Sequence, residues 1–353
     1  MSPQKAASTE SPHAHGTVIA VLGAGSFGTA LAIHLARRGS DTLLWGRNTD
    51  KMHAMQEARE NTQYLPDCQF PVRLTAVSGL HDAVAQAEDL LISTPSHSLR
   101  EMLTMIRPWL KPGQGIACAC KGLEPGSGKL VHEVIQEVVG NTHPLAVISG
   151  PTFAKELGIG LPTAVTIASH DIEFAEKIAA RMHGDGFRAY TADDLPGVEI
   201  GGAAKNVMAI GVGIADGLNL GANTRAMMLT RGLAEIMRLG EALGAHAETL
   251  MGLSGMGDLV LTCTDNQSRN RRMGLLLAQG KTVAEAIAEI KQVVEGVKAA
   301  PEVRRLAQRL GVEMPITEAV SRVLTGEITP VQAVRSLATR PQRAEMEHKD
   351  NDG

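Results

Sequence analysis

Residues 17–39 read TVIAVLGAGSFGTALAIHLARRG, and this stretch decides the fold. Thr17 to Leu22 is an unbroken β-branched and apolar run, the pattern of a strand buried on both faces of a parallel sheet. It ends in glycines. Gly23, Gly25 and Gly28 follow the strand and open a helix over 26–38, in which Leu31 and Leu35 fall at helical spacing. Two arginines occupy the last turn, and Gly39 just beyond it is a C-terminal stop signal. Between a strand and a helix, G-x-G-x-x-G is a dinucleotide-binding fingerprint rather than a merely structural turn. Gly23 permits the tight turn, Gly25 lets the backbone approach a pyrophosphate, and Gly28 lets helix pack on strand. The helix N-terminus then offers unpaired N–H groups to the phosphates.

The next strand, Thr42-Leu43-Leu44-Trp45, runs into Gly46-Arg47-Asn48, where an NAD-specific unit places an acidic residue on the adenosine ribose. Arg47 suits a 2′-phosphate instead and favours NADPH, with NADH left open; a solvated loop arginine is the competing reading. Apolar runs at 90–93, 115–119, 145–148 and 163–168, separated by helical segments, extend a largely parallel sheet. Loops at Ser93-Thr94-Pro95-Ser96 and Cys120-Lys121-Gly122 then fall at strand carboxyl ends, where ligands bind in such sheets. From about Leu195 the texture changes to long Ala-, Gly-, Leu- and Met-rich stretches such as 202–215 and 226–243. The expected architecture is α/β: an N-terminal Rossmann-type, mostly parallel sheet over 17–195 and an all-α C-terminal substrate and catalytic domain over 196–341. Polar tails are expected at 1–16 and 342–353.

Bulk properties agree with two globular domains. The chain has 353 residues, 44% hydrophobic and 20% charged, which is too long for a single small core and too apolar for disorder. A net charge of −4 gives no general attraction to nucleic acid or anionic lipid, so any phosphate must be held by local cations. Cys68, Cys118, Cys120 and Cys263 form no C-x-x-C pair, which points to reduced thiols and a cytoplasmic protein. The first residues lack a signal peptide's apolar stretch, and no segment is expected to approach the ~20 apolar residues of a membrane span. His97, His132, His143, His170, His183 and His246 show no i, i+4 pairing or companion carboxylates, so they read as surface or helix-end residues, and no metal site is expected.

The second half carries the chemistry. Gly201-Gly202-Ala203-Ala204-Lys205-Asn206 embeds one lysine in a small, apolar helix. Burial there would lower its pKa and let it exchange a proton with a substrate oxygen, whereas a lysine reaching out to solvent is the competing reading. Gly255-Met256-Gly257-Asp258-Leu259 supplies a carboxylate in a glycine-rich stretch. In Ser268-Arg269-Asn270-Arg271-Arg272, Ser268 reads as an N-cap, Arg269 and Asn270 as an inward-facing anion-binding pair, and Arg271 and Arg272 as a solvated turn. Such a site could take a substrate's own phosphate.

These segments together resemble a known family. GAGSFGTALA (23–32), ACKGLE (119–124), ISGPTFAKEL (148–157), GGAAKNVMAIG (201–211), GMGDLVLTCT (255–264), SRNRR (268–272) and VVEGV (293–297) are similar in order and spacing to bacterial NAD(P)-dependent glycerol-3-phosphate dehydrogenase, from about 17 to 340. The resemblance implies hydride transfer that interconverts dihydroxyacetone phosphate and sn-glycerol 3-phosphate, the latter for glycerophospholipid synthesis. It implies Lys205 as proton acceptor in oxidation and donor in reduction. Lys121 would contact substrate and cofactor, and Gly150 and Thr152 would hold the substrate. Asp258, Ser268, Arg269 and Asn270 would complete that pocket. Ser26, Phe27, Arg47, Ala154, Arg269, Val293 and Glu295 would join the glycine loop around the cofactor. Cys120 stands where a threonine is usual, a change expected to be tolerated because the neighbouring lysine does the polar work. A homodimer is also implied. Two other readings stay open here: a β-hydroxyacid dehydrogenase, and an NADPH-sensing protein without chemistry.

Overall fold

A computed structural model describes residues 17–342; the tail expected at 1–16, and all but the first residue of the tail expected at 342–353, lie outside the described residues. In chain order the strands are β1 (Val18–Leu22), β2 (Asp41–Trp45), β3 (Glu60–Asn61), β4 (Leu65–Gln69), β5 (Leu74–Val77), β6 (Asp89–Ile92), β7 (Gly115–Cys118), β8 (Leu145–Ser149), β9 (Thr163–Ala168) and β10 (Phe187–Ala192). Eight of them form one sheet in the order β10-β9-β8-β7-β6-β1-β2-β5, and β3 with β4 makes a separate hairpin. Every pairing in the large sheet is parallel except β8 with β9. The largely parallel sheet is as expected from sequence, while β5, β10 and the hairpin are additions to that reading. Both β5 and β10 lie at sheet edges, and β10 (FRAYTA) leaves Arg188, Tyr190 and Thr191 exposed, so neither presents a long apolar run.

The helices of the sheet half are α1 (Ser26–Arg37), α2 (Thr49–Ala58), α3 (Leu80–Gln86), α4 (Leu99–Ile106), α5 (Val131–Val139), α6 (Ala154–Ile159) and α7 (Ile172–Met182). Alternate residues of β1 serve different layers. Ile19 and Val21 pack with Leu31 and Leu35 of α1 and Phe174 of α7, whereas Ala20 and Leu22 pack with Leu103 of α4 and Val134 of α5. Helices therefore cover both faces. The sheet order reverses at β1, between β2 and β6, which opens a crevice at the carboxyl ends of β1 and β6.

From residue 195 the chain is helical: α8 (Leu195–Gly217), α9 (Gly221–Ala242), α10 (Ala247–Met251), a π-helical turn (Leu253–Gly257), α11 (Asp258–Thr264), α12 (Arg269–Ala278), α13 (Val283–Ile290), α14 (Glu295–Arg309), α15 (Pro315–Leu324) and α16 (Pro330–Ala338). Helix α8 is the axis of this half. With 23 residues it is long and apolar enough to cross a membrane by length and composition, which corrects the expectation of no such segment; the whole apolar window is nevertheless buried inside the protein. Its small residues allow neighbours to touch its backbone. A Cβ placed on Gly213 would lie 2.2 Å from the Arg271 carbonyl oxygen, and one on Gly274 would lie 2.1 Å from that of Ile210. Helices α8 and α12 thus cross in backbone contact, a spacing that only glycine permits.

Candidate active site

The glycine loop behaves as three different positions. Gly23 has φ +128, and a Cβ there would sit 2.5 Å from the Ser93 carbonyl oxygen, so the turn is closed to other residues on two grounds. A Cβ on Gly28 would lie 2.0 Å from the Gly23 carbonyl oxygen. At Gly25, by contrast, an added Cβ meets nothing within 4 Å. Packing within the protein does not demand a glycine there, and the backbone is left open to approach. Gly25 is also the N-cap of α1 and brings no side chain to the first-turn amides, which carry no acidic neighbour either. Ser26, Phe27 and Gly28 therefore open a helix whose N-terminal donors are left for an anion, and the residues fit a pyrophosphate. Arg47 is exposed just past β2, whose Trp45 pairs with Leu22 at the end of β1. Asn48 beside it is committed to capping α2 through the Lys51 amide, 2.9 Å away.

Across the crevice, Lys121 follows β7 and Lys205 projects from α8, and Asp258 lies between them. The Lys121 Nζ donates to Asp258 Oδ2 at 2.8 Å and to the Gly150 carbonyl at 3.0 Å, and it stands 5.6 Å over the Phe27 ring. Lys205 Nζ pairs with Asp258 Oδ1 and donates to Thr262 Oγ1 at 3.1 Å. Thr152 Oγ1 reaches the same Gly150 carbonyl at 3.3 Å. The side chains of Lys121, Lys205 and Asp258 are 11, 7 and 1% exposed, so their charges act on one another with little water between them. Burial pushes Lys205 down to about 8; Asp258 opposes the shift and Lys121 adds to it. Burial works against the Asp258 carboxylate, but the two lysines outweigh it and hold that carboxyl below its ordinary range. The result is a buried ammonium able to release a proton near pH 8.

The π-helical turn explains how Asp258 arrives there. It delivers Asp258 as the first residue of α11, and it can lie on α8 because a Cβ at Gly201 would come 2.5 Å from the Ser254 carbonyl oxygen. Four residues on, Thr262 shares the face of Asp258 and bonds to it at 3.4 Å. Asn206, next to Lys205, opens a second chain of contacts. Asn270 Nδ2 donates to Asn206 Oδ1 at 2.8 Å, Asn206 Nδ2 donates to Glu295 at 3.3 Å, and the Gly296 amide donates to Asn270 Oδ1 at 2.9 Å. This chain joins α8, α12 and the start of α14.

Sequence reasoning passed over Thr262 and Asn206, although Thr262 stands at i+4 from Asp258 and Asn206 directly follows Lys205. Ser268 caps α12 as expected, accepting from the Arg271 amide at 3.1 Å. Arg269, at the first position of α12, is half-buried and makes no hydrogen bond or ion pair with the described residues. Val293 is exposed and Ala154 half-buried at the start of α6; neither touches the lysine cluster through a polar contact. Two readings need correction. Arg271 is not part of a solvated turn: it is buried and paired with Asp216 at 2.7 Å, while Arg272 encloses its Nε without a partner. His132 does have a companion carboxylate, Glu199 of α8, at 3.0 Å. All four cysteines are free and buried, and Cys120 Sγ lies 3.8 Å from Thr94 Oγ1. Among the described residues no group of three or more His, Cys, Asp or Glu could hold a metal.

A dinucleotide loop at the sheet's switch point, facing a buried lysine at the head of a helical half, defines the chain as a two-domain NAD(P)-dependent dehydrogenase. Comparison with known proteins narrows the class. The family described as NAD-dependent glycerol-3-phosphate dehydrogenase N-terminus matches residues 18–175, and its C-terminus counterpart matches residues 194–335. The chain belongs to the NAD-dependent glycerol-3-phosphate dehydrogenase family. It is 52% identical over 327 residues to glycerol-3-phosphate dehydrogenase [NAD(P)+] of Stenotrophomonas maltophilia, covering 93% of this chain and 96% of the relative. It is 54% identical to the protein of the same name from Haemophilus ducreyi, covering 93 and 98%. The crystal structure of glycerol-3-phosphate dehydrogenase from Coxiella burnetii superposes with TM-score 0.90 at 45% identity, covering 93% of this chain and all of that one.

Proposed function

We propose that the chain interconverts dihydroxyacetone phosphate and sn-glycerol 3-phosphate, with NADPH preferred over NADH. One observation carries the reading: a buried aspartate is shared by two lysines that approach from opposite sides of the crevice. An ammonium has three N–H donors. Lys121 spends two on Asp258 and Gly150, and Lys205 spends two on Asp258 and Thr262. Each keeps one for a substrate oxygen. When bound, the dinucleotide supplies the hydride to the carbonyl carbon, or takes it back in oxidation. Lys205 gives its proton to the carbonyl oxygen in reduction and recovers it from the hydroxyl in oxidation. Lys121 steadies the same oxygen as negative charge builds on it. With two lysines and one aspartate, the cluster retains a positive charge that favours an anionic substrate. Arg269 and the first turn of α12 take the phosphate, with Ser268 and Asn270 shaping the turn.

Arg47, exposed beyond β2 and without an ion pair among the described residues, supports the NADPH preference. Exposed Leu220 and Met227 at α9 support a homodimer, checked by light scattering. Cytoplasmic action and supply of glycerol 3-phosphate to glycerophospholipids complete the reading. Purified protein should oxidise NADPH with dihydroxyacetone phosphate; turnover only with a carboxylate substrate, such as a semialdehyde acid, would overturn the proposal. Lys205→Ala should abolish turnover and keep cofactor affinity, which separates an enzyme from an NADPH sensor.

A further inference from the structure

Arg269, Asn270 and Arg271 project from the first turn of α12 about 100° apart. Arg269 makes no hydrogen bond or ion pair with the described residues that would set its direction. Its two neighbours are both fastened. Asn270 is held by Asn206 at 2.8 Å and by the Gly296 amide at 2.9 Å. Arg271 reaches the other way, donating to Asp216 Oδ2 at 2.7 Å and to Asn266 Oδ1, and its own amide is the one that Ser268 caps. The Arg271 and Asp216 side chains are 10 and 7% exposed. Asp216 closes the pair from the far side by accepting from Arg225 Nε at 3.0 Å. One arginine thus ties together the loop before α12, the cap of α12 and the C-terminal end of α8.

We propose that the Asp216–Arg271 ion pair is a positioning element that fixes the rotation of α12 and so aims Arg269 at the phosphate of the substrate. Two fastened side chains about 100° apart fix the rotation of the helix, and with it the direction in which Arg269 leaves the backbone. Held by Asp216 and Asn266, the Arg271 guanidinium is committed away from Arg269, so the anion meets Arg269. Asp216 lies eleven positions beyond Lys205 on α8, about 16 Å along the helix axis, so the pair acts on anion binding and leaves proton transfer alone.

The inference rests on the proposed phosphate site, and the test separates the two. Arg271→Met, Arg271→Lys, Asp216→Asn and Arg269→Ala are compared with wild type for kcat, the KM of dihydroxyacetone phosphate, the inhibition constant of inorganic phosphate, and the melting curve. Arg271→Met and Asp216→Asn should raise KM and the phosphate inhibition constant together, by about tenfold, with kcat at saturation within about twofold. Arg271→Lys should recover part of the loss, because it keeps the charge but not the fork. A folded Arg271→Met enzyme with wild-type KM and phosphate inhibition would overturn the proposal, as would a fall in kcat at constant KM. Loss of the fold in Arg271→Met and Asp216→Asn alike would also overturn it, by making the pair a stability element. If Arg269→Ala left phosphate inhibition unchanged, the phosphate site itself would fall, and the positioning role with it.

Discussion

Replacing Asp258 by asparagine removes the negative charge that Lys121 and Lys205 share and keeps the side chain's shape. In wild type Lys205 sits at about 8. Reduction needs it protonated, so kcat/KM for dihydroxyacetone phosphate should be level at low pH and fall tenfold per pH unit above about 8. At an effective dielectric constant of about 20, opposite charges 2.8 Å apart, the Lys121–Asp258 spacing, attract by about 6 kcal/mol. Water and local relaxation recover much of this, and a neighbouring carboxylate ordinarily moves a pKa by about one to three units. With burial and Lys121 left unopposed, the limb should move from about 8 to about 6, equivalent to about 2.7 kcal/mol. At pH of about 8 the variant's reduction rate should then lie roughly a hundredfold below its own plateau, against about twofold for wild type. The assay is NADPH oxidation followed across pH, with cofactor saturating and circular dichroism confirming the fold. A folded Asp258→Asn enzyme whose limb stays at the wild-type position would refute the argument that this carboxylate sets the proton affinity of Lys205.

Gly25→Ala should fold normally, because an added Cβ meets nothing within 4 Å, but should bind NADPH at least about tenfold more weakly; Gly28→Ala, with its Cβ 2.0 Å from a carbonyl oxygen, should lose about 1–3 kcal/mol of stability. Equal melting temperatures for the two would contradict this. Arg47→Asp should lower the NADPH-to-NADH efficiency ratio by about tenfold or more, and an unchanged ratio removes Arg47 from the site. Glu235, buried on α9, accepts from the Ile316 and Thr317 amides at the start of α15, and burial pushes it up to about 7. The folded state then holds this proton more tightly than the unfolded chain. Its contribution is full below pH 4.5 and declines towards about 7, by about 3 kcal/mol in total. Urea unfolding of wild type and Glu235→Gln across that window should diverge, and parallel curves would exclude the effect.

How much could be read in one dimension depended on whether a residue's partner lay nearby. The β1 strand, its glycine loop and α1 are a local unit, and each property that builds it is written within two dozen residues. Lys205 announced itself by contrast with its apolar helix. Edge strands β5 and β10 did not, because half of each faces outward and no continuous run remains. The three arginines of 269–272 are alike in sequence, and only Asp216, 55 positions away, makes Arg271 an inward one. His132 needed Glu199, 67 positions distant, to stop looking like a surface residue. Thr262 was legible in principle, since it stands one helical turn after Asp258, but only once a helix is known to begin at that aspartate.

Asp258 is also a latch. Lys121 belongs to the sheet half, whereas Lys205 and Asp258 belong to the helical half, so the 2.8 Å contact between Lys121 and Asp258 is a bolt across the crevice. Drawing the halves apart would leave Lys205 and Asp258 as a self-cancelling pair with no excess charge. Shutting them brings in the second lysine, and with it both the pull on an anionic guest and the push that loosens the Lys205 proton. Charge and proton affinity at the cluster thereby depend on one width, the gap between a strand end and a helix.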